Sequence, residues 1–85
     1  MRIALDYDGT FTRDPDLWRA FAALAKERGH AVSIVTMRFA DDNEECVPDE
    51  GIPIVYTDRR AKASVFAADV WIDDQPQFIL GHSAT

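Results

Sequence analysis

The sequence predicts a small α/β domain with a mostly parallel sheet. Short apolar, β-branched runs alternate with helical segments along the 85 residues, and strands joined by helical crossovers form parallel sheets with helices on their faces. A chain of this length builds one domain with a modest core. Its hydrophobic fraction of 47% is typical of a globular protein and not of a disordered one. We therefore expect one domain over residues 1–85, with a Rossmann-like, three-layer α/β/α arrangement.

The first half of the chain predicts two strands and one long helix. Residues 2–6 form a buried strand because they contain an unbroken apolar run. Asp14 is a typical helix N-cap, and Pro15 is a typical first helical residue. Apolar side chains then recur at helical spacing as far as Gly29, which favours the end of the helix. Residues 31–36 are rich in β-branched side chains and predict the second strand.

The second half predicts five further segments: a mainly acidic loop over 41–50, a third strand over 52–56, a second helix over 59–68, a fourth strand over 70–73 and a helical turn over 76–80. Pro53 cannot donate a backbone hydrogen bond, so the third strand suits an edge of the sheet. Thr57 or Asp58 is the expected N-cap of the second helix.

Polar side chains follow the ends of three predicted strands. Asp6 and Asp8 end the first strand, and in an extended chain residues i and i+2 share a face. Two like charges in one small volume repel unless a cation lies between them, and Mg²⁺ is the economical choice for oxygen ligands. One carboxylate could then act as a nucleophile while the other transfers a proton. Thr36 and the pair Asp73 and Asp74 end two other strands, so we expect them in the same crevice.

Four short motifs occur in an order that resembles the haloacid dehalogenase (HAD) superfamily of phosphatases and phosphotransferases. They are Asp-x-Asp-Gly-Thr over 6–10, Thr36 at the end of the second strand, Lys62 before the fourth strand, and Asp73 and Asp74 at its end. The resemblance covers residues 2 to about 75. It implies a HAD-like catalytic core with strand order 4-1-2-3.

The resemblance also implies a role for each catalytic side chain. Asp6 would attack phosphorus to give an aspartyl phosphate. Asp8 would protonate the leaving oxygen and then activate the water that hydrolyses the intermediate. Thr36 would donate its hydroxyl to a phosphoryl oxygen, and Lys62 would neutralise the charge shared by Asp6 and the phosphoryl group.

The implied cofactor is Mg²⁺. Asp73 would hold it together with Asp6 and the backbone carbonyl of Asp8. Asp74 would bind the ion directly or through water. The resemblance thus implies a metal site made entirely of oxygen ligands.

Substrate contacts are expected around the first and second motifs. Gly9 lets the chain turn sharply past the strand end, and Gly9 and Thr10 belong to the matched motif. Arg13, Arg38 and Arg59 each follow a strand end or motif where an anionic substrate would approach. Arg38 is the favoured substrate contact among them, because arginine suits bidentate binding of phosphate.

The chain departs from most HAD relatives in lacking a cap module. Residues 10–14 alone separate the first motif from the first helix, so the crevice should be open and suit a bulky phosphorylated substrate. The usual fifth strand is also absent. The exposed edge that this leaves predicts a homo-oligomer.

Charge and composition narrow the expected partners. The net charge of −6 argues against binding to nucleic acid or to an anionic membrane. No apolar run approaches the roughly 20 residues that span a bilayer. Cys46 is the single cysteine, which suits a reducing compartment, and we expect a cytoplasmic protein.

The leading interpretation is a Mg²⁺-dependent phosphomonoester hydrolase. A non-enzymatic phosphate-binding or receiver-like phosphoacceptor module remains an alternative, although receivers lack an acid/base two residues past the nucleophile, where Asp8 lies. A polynucleotide end-processing phosphatase is a further alternative, which the open site permits and the net charge weakens.

Overall fold

Four strands and three α-helices form the described part of the chain, which comprises residues 1–39, 47 and 51–81 of a computed structural model. In chain order they are β1 (Arg2–Leu5), a 3-10 turn (Phe11–Arg13), α1 (Pro15–Glu27), β2 (Ala31–Thr36), β3 (Ile54–Tyr56), α2 (Lys62–Val65), β4 (Val70–Ile72) and α3 (Gln77–Leu80). Cys46 and all of the predicted acidic loop except Val47 lie outside the described residues.

The four strands form one parallel sheet in the order β3-β2-β1-β4. This is the predicted order 4-1-2-3 counted from the other edge, so the α/β class and the strand order are confirmed. In the register, Leu5 of β1 lies beside Ile34 of β2 and Ile72 of β4. The Asp6 N–H donates to the Ile72 carbonyl over 2.9 Å. The segments that leave β1 and β4 therefore start side by side.

The two central strands carry the core. Ile3, Ala4 and Leu5 are all buried, so β1 is covered on both faces, as expected for a central parallel strand. The buried residues of the main hydrophobic cluster are Ile3, Leu5, Tyr7, Phe11, Ala25, Val32, Ile34, Val47 and Ile52. Burying one large aliphatic side chain contributes about 1.5–3 kcal/mol. The packing of this cluster fixes the strand ends from which the polar side chains project.

Helix α1 begins and ends where the sequence predicts. The Asp14 carboxylate accepts a hydrogen bond from the Leu17 N–H over 3.2 Å, and Pro15 is the first helical residue. The helix ends at Glu27, and Gly29 follows with a φ of +85°. A left-handed residue after a helix is usually glycine because it has no Cβ to clash.

Helix α2 is shorter than predicted, because it covers Lys62–Val65 and not 59–68. Neither Thr57 nor Asp58 caps it: the N-cap position is Ala61, without a side-chain hydrogen bond. The turn 57–60 takes the place of the first helical turn, and its two central residues have φ values of +54° and +67°. That backbone is incompatible with a right-handed helix, so the helix starts only beyond it.

Two crossovers run in opposite directions across the sheet. The connection through α1 leads from β1 to its neighbour β2, whereas the connection through α2 leads from edge strand β3 to edge strand β4. Since such crossovers are right-handed, the two connections lie on opposite faces. The topology is compatible with a Rossmann-like fold. Within the described ranges, no helix has both the length and the apolar character that crossing a membrane requires.

Candidate functional site

A cleft of about 240 Å³ opens at the carboxyl ends of the parallel strands. It brings together residues that are distant in sequence, as the predicted crevice requires. The predicted site residues that line it are Asp6, Asp8, Thr36, Arg38, Lys62, Asp73 and Asp74. The other two predicted site residues, Gly9 and Thr10, adjoin the cleft and contact residues within it.

Asp6 is held at both carboxylate oxygens. The Lys62 Nζ donates to Oδ1 over 2.7 Å, and the Thr10 hydroxyl donates to Oδ2 over 3.1 Å. Burial raises the pKa of the Asp6 carboxyl to about 6, while Lys62 acts in the opposite direction; the nearby Asp74 and Asp73 raise it further. The position thus holds a partly desolvated carboxylate whose negative charge one ammonium group does not fully balance.

Lys62 bridges two buried carboxylates. Its Nζ lies 2.7 Å from Oδ1 of Asp6 and 2.6 Å from Oδ2 of Asp73. The three side chains are 5%, 9% and 3% exposed, in the order Lys62, Asp6, Asp73. A buried ammonium is tolerated only when it is paired and hydrogen-bonded. Lys62 is the first residue of α2, so the turn 57–60 sets where its ammonium enters the cleft.

The carboxylate of Asp74 approaches the backbone of Gly9 so closely that it would have to move to admit a side chain there. A Cβ at Gly9 would overlap Oδ2 of Asp74, and the φ of +84° is one that side-chain-bearing residues rarely adopt. The Thr10 hydroxyl lies 3.4 Å from Oδ1 of Asp74. The sharp turn predicted at Gly9 is present, and it also admits the carboxylate of Asp74.

Three carboxylates are grouped as a metal site requires. Asp6, Asp73 and Asp74 each offer one oxygen, and these oxygens lie within 4.8 Å of one another. Carboxylate oxygens are the ligands that hard divalent cations such as Mg²⁺ and Ca²⁺ prefer. Three carboxylates against the one ammonium of Lys62 leave an excess of negative charge. The residues therefore fit a divalent cation, whose identity the donor set does not fix.

Asp8, the fourth predicted metal ligand, directs its side chain elsewhere. Its carboxylate accepts two hydrogen bonds from Arg38, over 2.6 Å from Nη2 and 2.9 Å from Nε. The Arg38 guanidinium also lies over the Tyr7 ring, 5.2 Å from its centroid. The predicted contact of Asp8 with the metal is through its backbone carbonyl, and that contact stays a prediction.

Thr36 is buried at the end of β2 and lines the cleft. Its hydroxyl accepts a hydrogen bond from the Arg38 N–H over 3.3 Å, and its carbonyl accepts one from the Thr57 N–H over 2.8 Å. The two bonds join the loop after β2 to the turn after β3. Thr36 thus helps to fix the cleft wall that carries the arginines.

Sequence reasoning missed three residues that line the cleft, Met37, Gln75 and Phe78. The Gln75 N–H donates to Oδ1 of Asp73 over 2.9 Å, which helps to hold that carboxylate. Its position directly after the fourth motif is a signal that could have identified it. Phe78 lies on α3 and no pattern in the sequence marks it, because the docking of a four-residue helix depends on tertiary packing.

Arg38 and Arg59 also line the cleft, whereas Arg13 is not among the lining residues.

Comparison of the chain with protein-family models, curated proteins and solved structures found no match in any of the three. The side chains of the cleft are therefore the basis on which a function can be assigned.

Proposed function

We propose that this protein is a Mg²⁺-dependent phosphomonoester hydrolase that forms an aspartyl phosphate on Asp6. The observation that carries the proposal is the setting of Asp6: it is buried, bound by Lys62, and grouped with Asp73 and Asp74 at one end of a cleft. A desolvated carboxylate beside a cation is a suitable nucleophile for phosphorus. The four motifs from which the HAD resemblance was inferred converge on this one place.

In the first step a carboxylate oxygen of Asp6 attacks the phosphorus atom, and the P–O bond to the alcohol breaks. Asp8 gives a proton to the departing oxygen. Lys62 stays within hydrogen-bonding distance of Asp6 and offsets the charge that Asp6 shares with the phosphoryl group. In the second step Asp8 takes a proton from water, which attacks the aspartyl phosphate and releases inorganic phosphate.

Mg²⁺ would be held by Asp6, Asp73 and Asp74 and would neutralise charge on the phosphoryl oxygens. The chain's own residues supply the positioning. Gly9 makes room for Asp74, and Gln75 holds Asp73. These contacts place the carboxylates before any substrate arrives, which is what electrostatic catalysis needs.

Arg38 connects substrate binding to the acid/base group. It holds Asp8 with the same two nitrogens, Nε and Nη2, that would grip a phosphate in bidentate fashion. An incoming phosphate dianion can therefore replace Asp8 as the hydrogen-bond acceptor of the guanidinium. The carboxyl group of Asp8 is then released to exchange protons with the substrate.

A second candidate function is a receiver-like phosphoacceptor without turnover. The same pair of Asp8 and Arg38 favours it, because a carboxylate that stays bound to Arg38 does not activate water. In that case an aspartyl phosphate on Asp6 would persist. The two candidates differ in whether Asp8 leaves Arg38.

The decisive experiment is a panel of phosphate esters with Mg²⁺ and with EDTA, using wild type, Asp6→Asn and Asp8→Ala. The proposal expects Mg²⁺-dependent release of phosphate by wild type and none by Asp6→Asn. It expects Asp8→Ala to accumulate up to one phosphate per chain and then stall. A stable phosphoenzyme in wild type with negligible turnover would establish the acceptor instead, and the absence of both turnover and phosphoenzyme would reject both functions.

The proposed family, location, substrate and oligomeric state belong to the same proposal. Element order and motif order support a HAD-like catalytic core without a cap. The protein would act in the cytoplasm, on a phosphorylated substrate that extends beyond the small cleft. Polynucleotide ends remain an alternative substrate that the net charge of −6 disfavours. In the proposed homo-oligomer a second copy would pair at one of the two sheet edges, β3 or β4, and sedimentation of a monomer at micromolar concentration would reject it.

A further inference from the structure

The turn between β3 and α2 places an arginine where the backbone favours glycine. The Arg60 N–H donates to the Thr57 carbonyl over 3.1 Å, and the two residues between them, Asp58 and Arg59, have φ values of +54° and +67°. Positive φ at both central positions defines a type I′ turn. The second central position of such a turn is normally glycine. Aspartate at the first central position adopts a positive φ far more readily than arginine does at the second. The turn is therefore strained at Arg59.

The Arg59 side chain is fixed by contacts on the neighbouring loop. Its Nη1 donates to the Met37 carbonyl over 3.0 Å, and the same carbonyl accepts the Arg59 backbone N–H over 2.9 Å. The guanidinium carbon lies 5.2 Å from the centroid of the Phe39 ring. The charge is thus held against the loop after β2, in the wall of the cleft that also contains Asp6 and Lys62.

The cleft contains two kinds of cationic position. Lys62 is buried and bridges Asp6 and Asp73, so it belongs to the place where the phosphoryl group reacts. Arg59 is an exposed residue of the same cleft, held by a carbonyl of its wall. At about 240 Å³ the cleft is smaller than the roughly 300–1,000 Å³ of sites that enclose a whole ligand. The remainder of a substrate bound at Asp6 would extend out of the cleft, and Arg59 is an exposed residue of the cleft lining that it could meet.

We propose that Arg59 binds a second phosphate group of the substrate. The substrate is then a phosphomonoester that carries another phosphate, with the scissile group at Asp6 and the other at Arg59. This inference rests on the proposed hydrolase function. It accounts for an arginine in a strained position, since glycine would serve the turn but would supply no guanidinium for bidentate binding of phosphate.

A purely structural role for Arg59 makes a different prediction about stability. If the residue is retained for its bond to Met37 and its contact with Phe39, Arg59→Gly should unfold at a lower temperature than wild type. If it is retained for a ligand, relief of the positive φ offsets the lost bond. The midpoint of thermal unfolding then does not fall, and it rises by up to about 5 °C. A fall in the midpoint would overturn the account of Arg59 as a strained residue that is retained for a ligand.

Ligand binding gives the second test, and it does not depend on turnover. Calorimetry with Mg²⁺ present would compare methylphosphonate with bisphosphonates in which one to four methylene groups separate the two phosphonates. We expect at least one bisphosphonate to bind wild type about tenfold or more tightly than methylphosphonate, as a charge-assisted hydrogen-bonded contact would give. In Arg59→Gly the preference should fall below about threefold, close to the statistical factor for a ligand with two equal ends.

Arg60→Ala is the matched control. It removes the same charge from the neighbouring position, whose side chain donates to the Thr57 carbonyl and is not among the cleft-lining residues. It should keep the full preference for the bisphosphonate. Equal binding of all the ligands to wild type, or a preference that survives in Arg59→Gly, would overturn the second phosphate site.

Hydrolysis separates this inference from the function on which it rests. The preference for a bisphosphate over a monophosphate can be tested during turnover with two pairs of esters. These are fructose 6-phosphate and fructose 1,6-bisphosphate, and adenosine 3′-phosphate and adenosine 3′,5′-bisphosphate. Turnover of monophosphates and bisphosphates at equal kcat/KM would support the hydrolase and reject the second site. Bisphosphonate binding through Arg59 without hydrolysis of any ester would support the second site and reject the hydrolase.

Discussion

Arg38 and Asp8 form a two-point ion pair that joins the carboxyl ends of β1 and β2, with bonds of 2.6 and 2.9 Å. The pair is partly exposed, since the Arg38 side chain is 26% and the Asp8 side chain 56% exposed. Exposed pairs contribute little to stability, typically about 0–1 kcal/mol. Under the proposed hydrolase function, the pair would instead matter because Asp8 has to leave Arg38 to reach the substrate.

The first prediction concerns Arg38. Arg38→Ala removes the group that would exchange Asp8 for phosphate, and it should lower kcat/KM about 100-fold on any ester that wild type hydrolyses. Arg38→Lys should recover only part of this loss, because an ammonium cannot make the bidentate contact. Steady-state kinetics on the same ester would measure both variants.

Arg13→Ala is the control for Arg38, since Arg13 follows the first motif as Arg38 follows the second but does not line the cleft. Its kcat/KM should stay within about threefold of wild type. Urea unfolding should show that Arg38→Ala changes the free energy of unfolding by no more than about 1 kcal/mol. An Arg38→Ala variant with normal kcat/KM would mean that Arg38 does not bind the phosphate.

The second prediction concerns Lys62. Lys62→Met removes the ammonium between the buried carboxylates of Asp6 and Asp73. Removal of one partner of a buried ion pair typically costs about 3–5 kcal/mol, because the remaining charge is left without compensation. Urea unfolding in EDTA should show a loss of this size, and Mg²⁺ should recover more stability in the variant than in wild type.

Lys26→Met is a suitable control for Lys62, since Lys26 is an exposed residue in the last turn of α1. Its free energy of unfolding should change by less than about 0.5 kcal/mol. A similarly small effect of Lys62→Met would show that Asp6 and Asp73 are not held by this ammonium.

The third prediction is a pH dependence of stability set by Asp6. Burial raises the pKa of its carboxyl from the ordinary 3.8 to about 6, so the folded protein binds this proton more tightly than the unfolded chain does. Between these two pKa values the free energy of unfolding therefore falls as the pH rises. Asp6→Asn removes the titration while it keeps a side chain of the same shape.

The measurement is urea unfolding of both proteins in EDTA at several pH values from about 4 to about 7.5. Stability of Asp6→Asn relative to wild type should increase across this range and level off above the raised pKa of about 6. The comparison cancels the other titrating groups to first order. A relative stability that stays flat or decreases with pH would show that the Asp6 pKa is not raised.

The convergence of Asp6, Lys62 and Asp73 follows from features that the sequence displays. Asp6 and Asp73 come directly after β1 and β4, and Lys62 begins the helix that connects β3 to β4. Parallel strands align their carboxyl ends, so an alternating α/β pattern brings the three together. The N-cap at Asp14 is equally local, since it depends on only a few neighbouring residues. Such features could be predicted because local propensity and tertiary structure agree.

The turn 57–60 and the pair of Arg38 and Asp8 could not be predicted in the same way. The sequence Thr-Asp-Arg-Arg lacks the Asn-Gly or Asp-Gly signature of a type I′ turn, and its Thr and Asp favour the start of a helix instead. Arg38 and Asp8 are 30 residues apart in sequence. Their contact depends on the register of β1 against β2 and on the loop after β2, neither of which a motif specifies.

The last prediction tests whether Asp74 takes part in the metal site. Gly9→Ala adds a methyl group that overlaps Oδ2 of Asp74, at a residue whose φ is +84°. Gly29→Ala is a closely matched control, because Gly29 has a φ of +85° but no atom lies within 4 Å of its Cβ position. Both variants should lose about 1–2 kcal/mol of stability to backbone strain. Gly9→Ala should lose more, since Asp74 has to move.

Titration with Mg²⁺, followed by thermal unfolding, separates the two effects. In Gly29→Ala the ion should raise the unfolding midpoint as much as in wild type, because the carboxylates of Asp6, Asp73 and Asp74 stay in place. In Gly9→Ala the displaced Asp74 should weaken binding about tenfold or more, and the ion should raise the midpoint less. Equal stabilisation of both glycine variants would show that Asp74 contributes nothing to holding the cation.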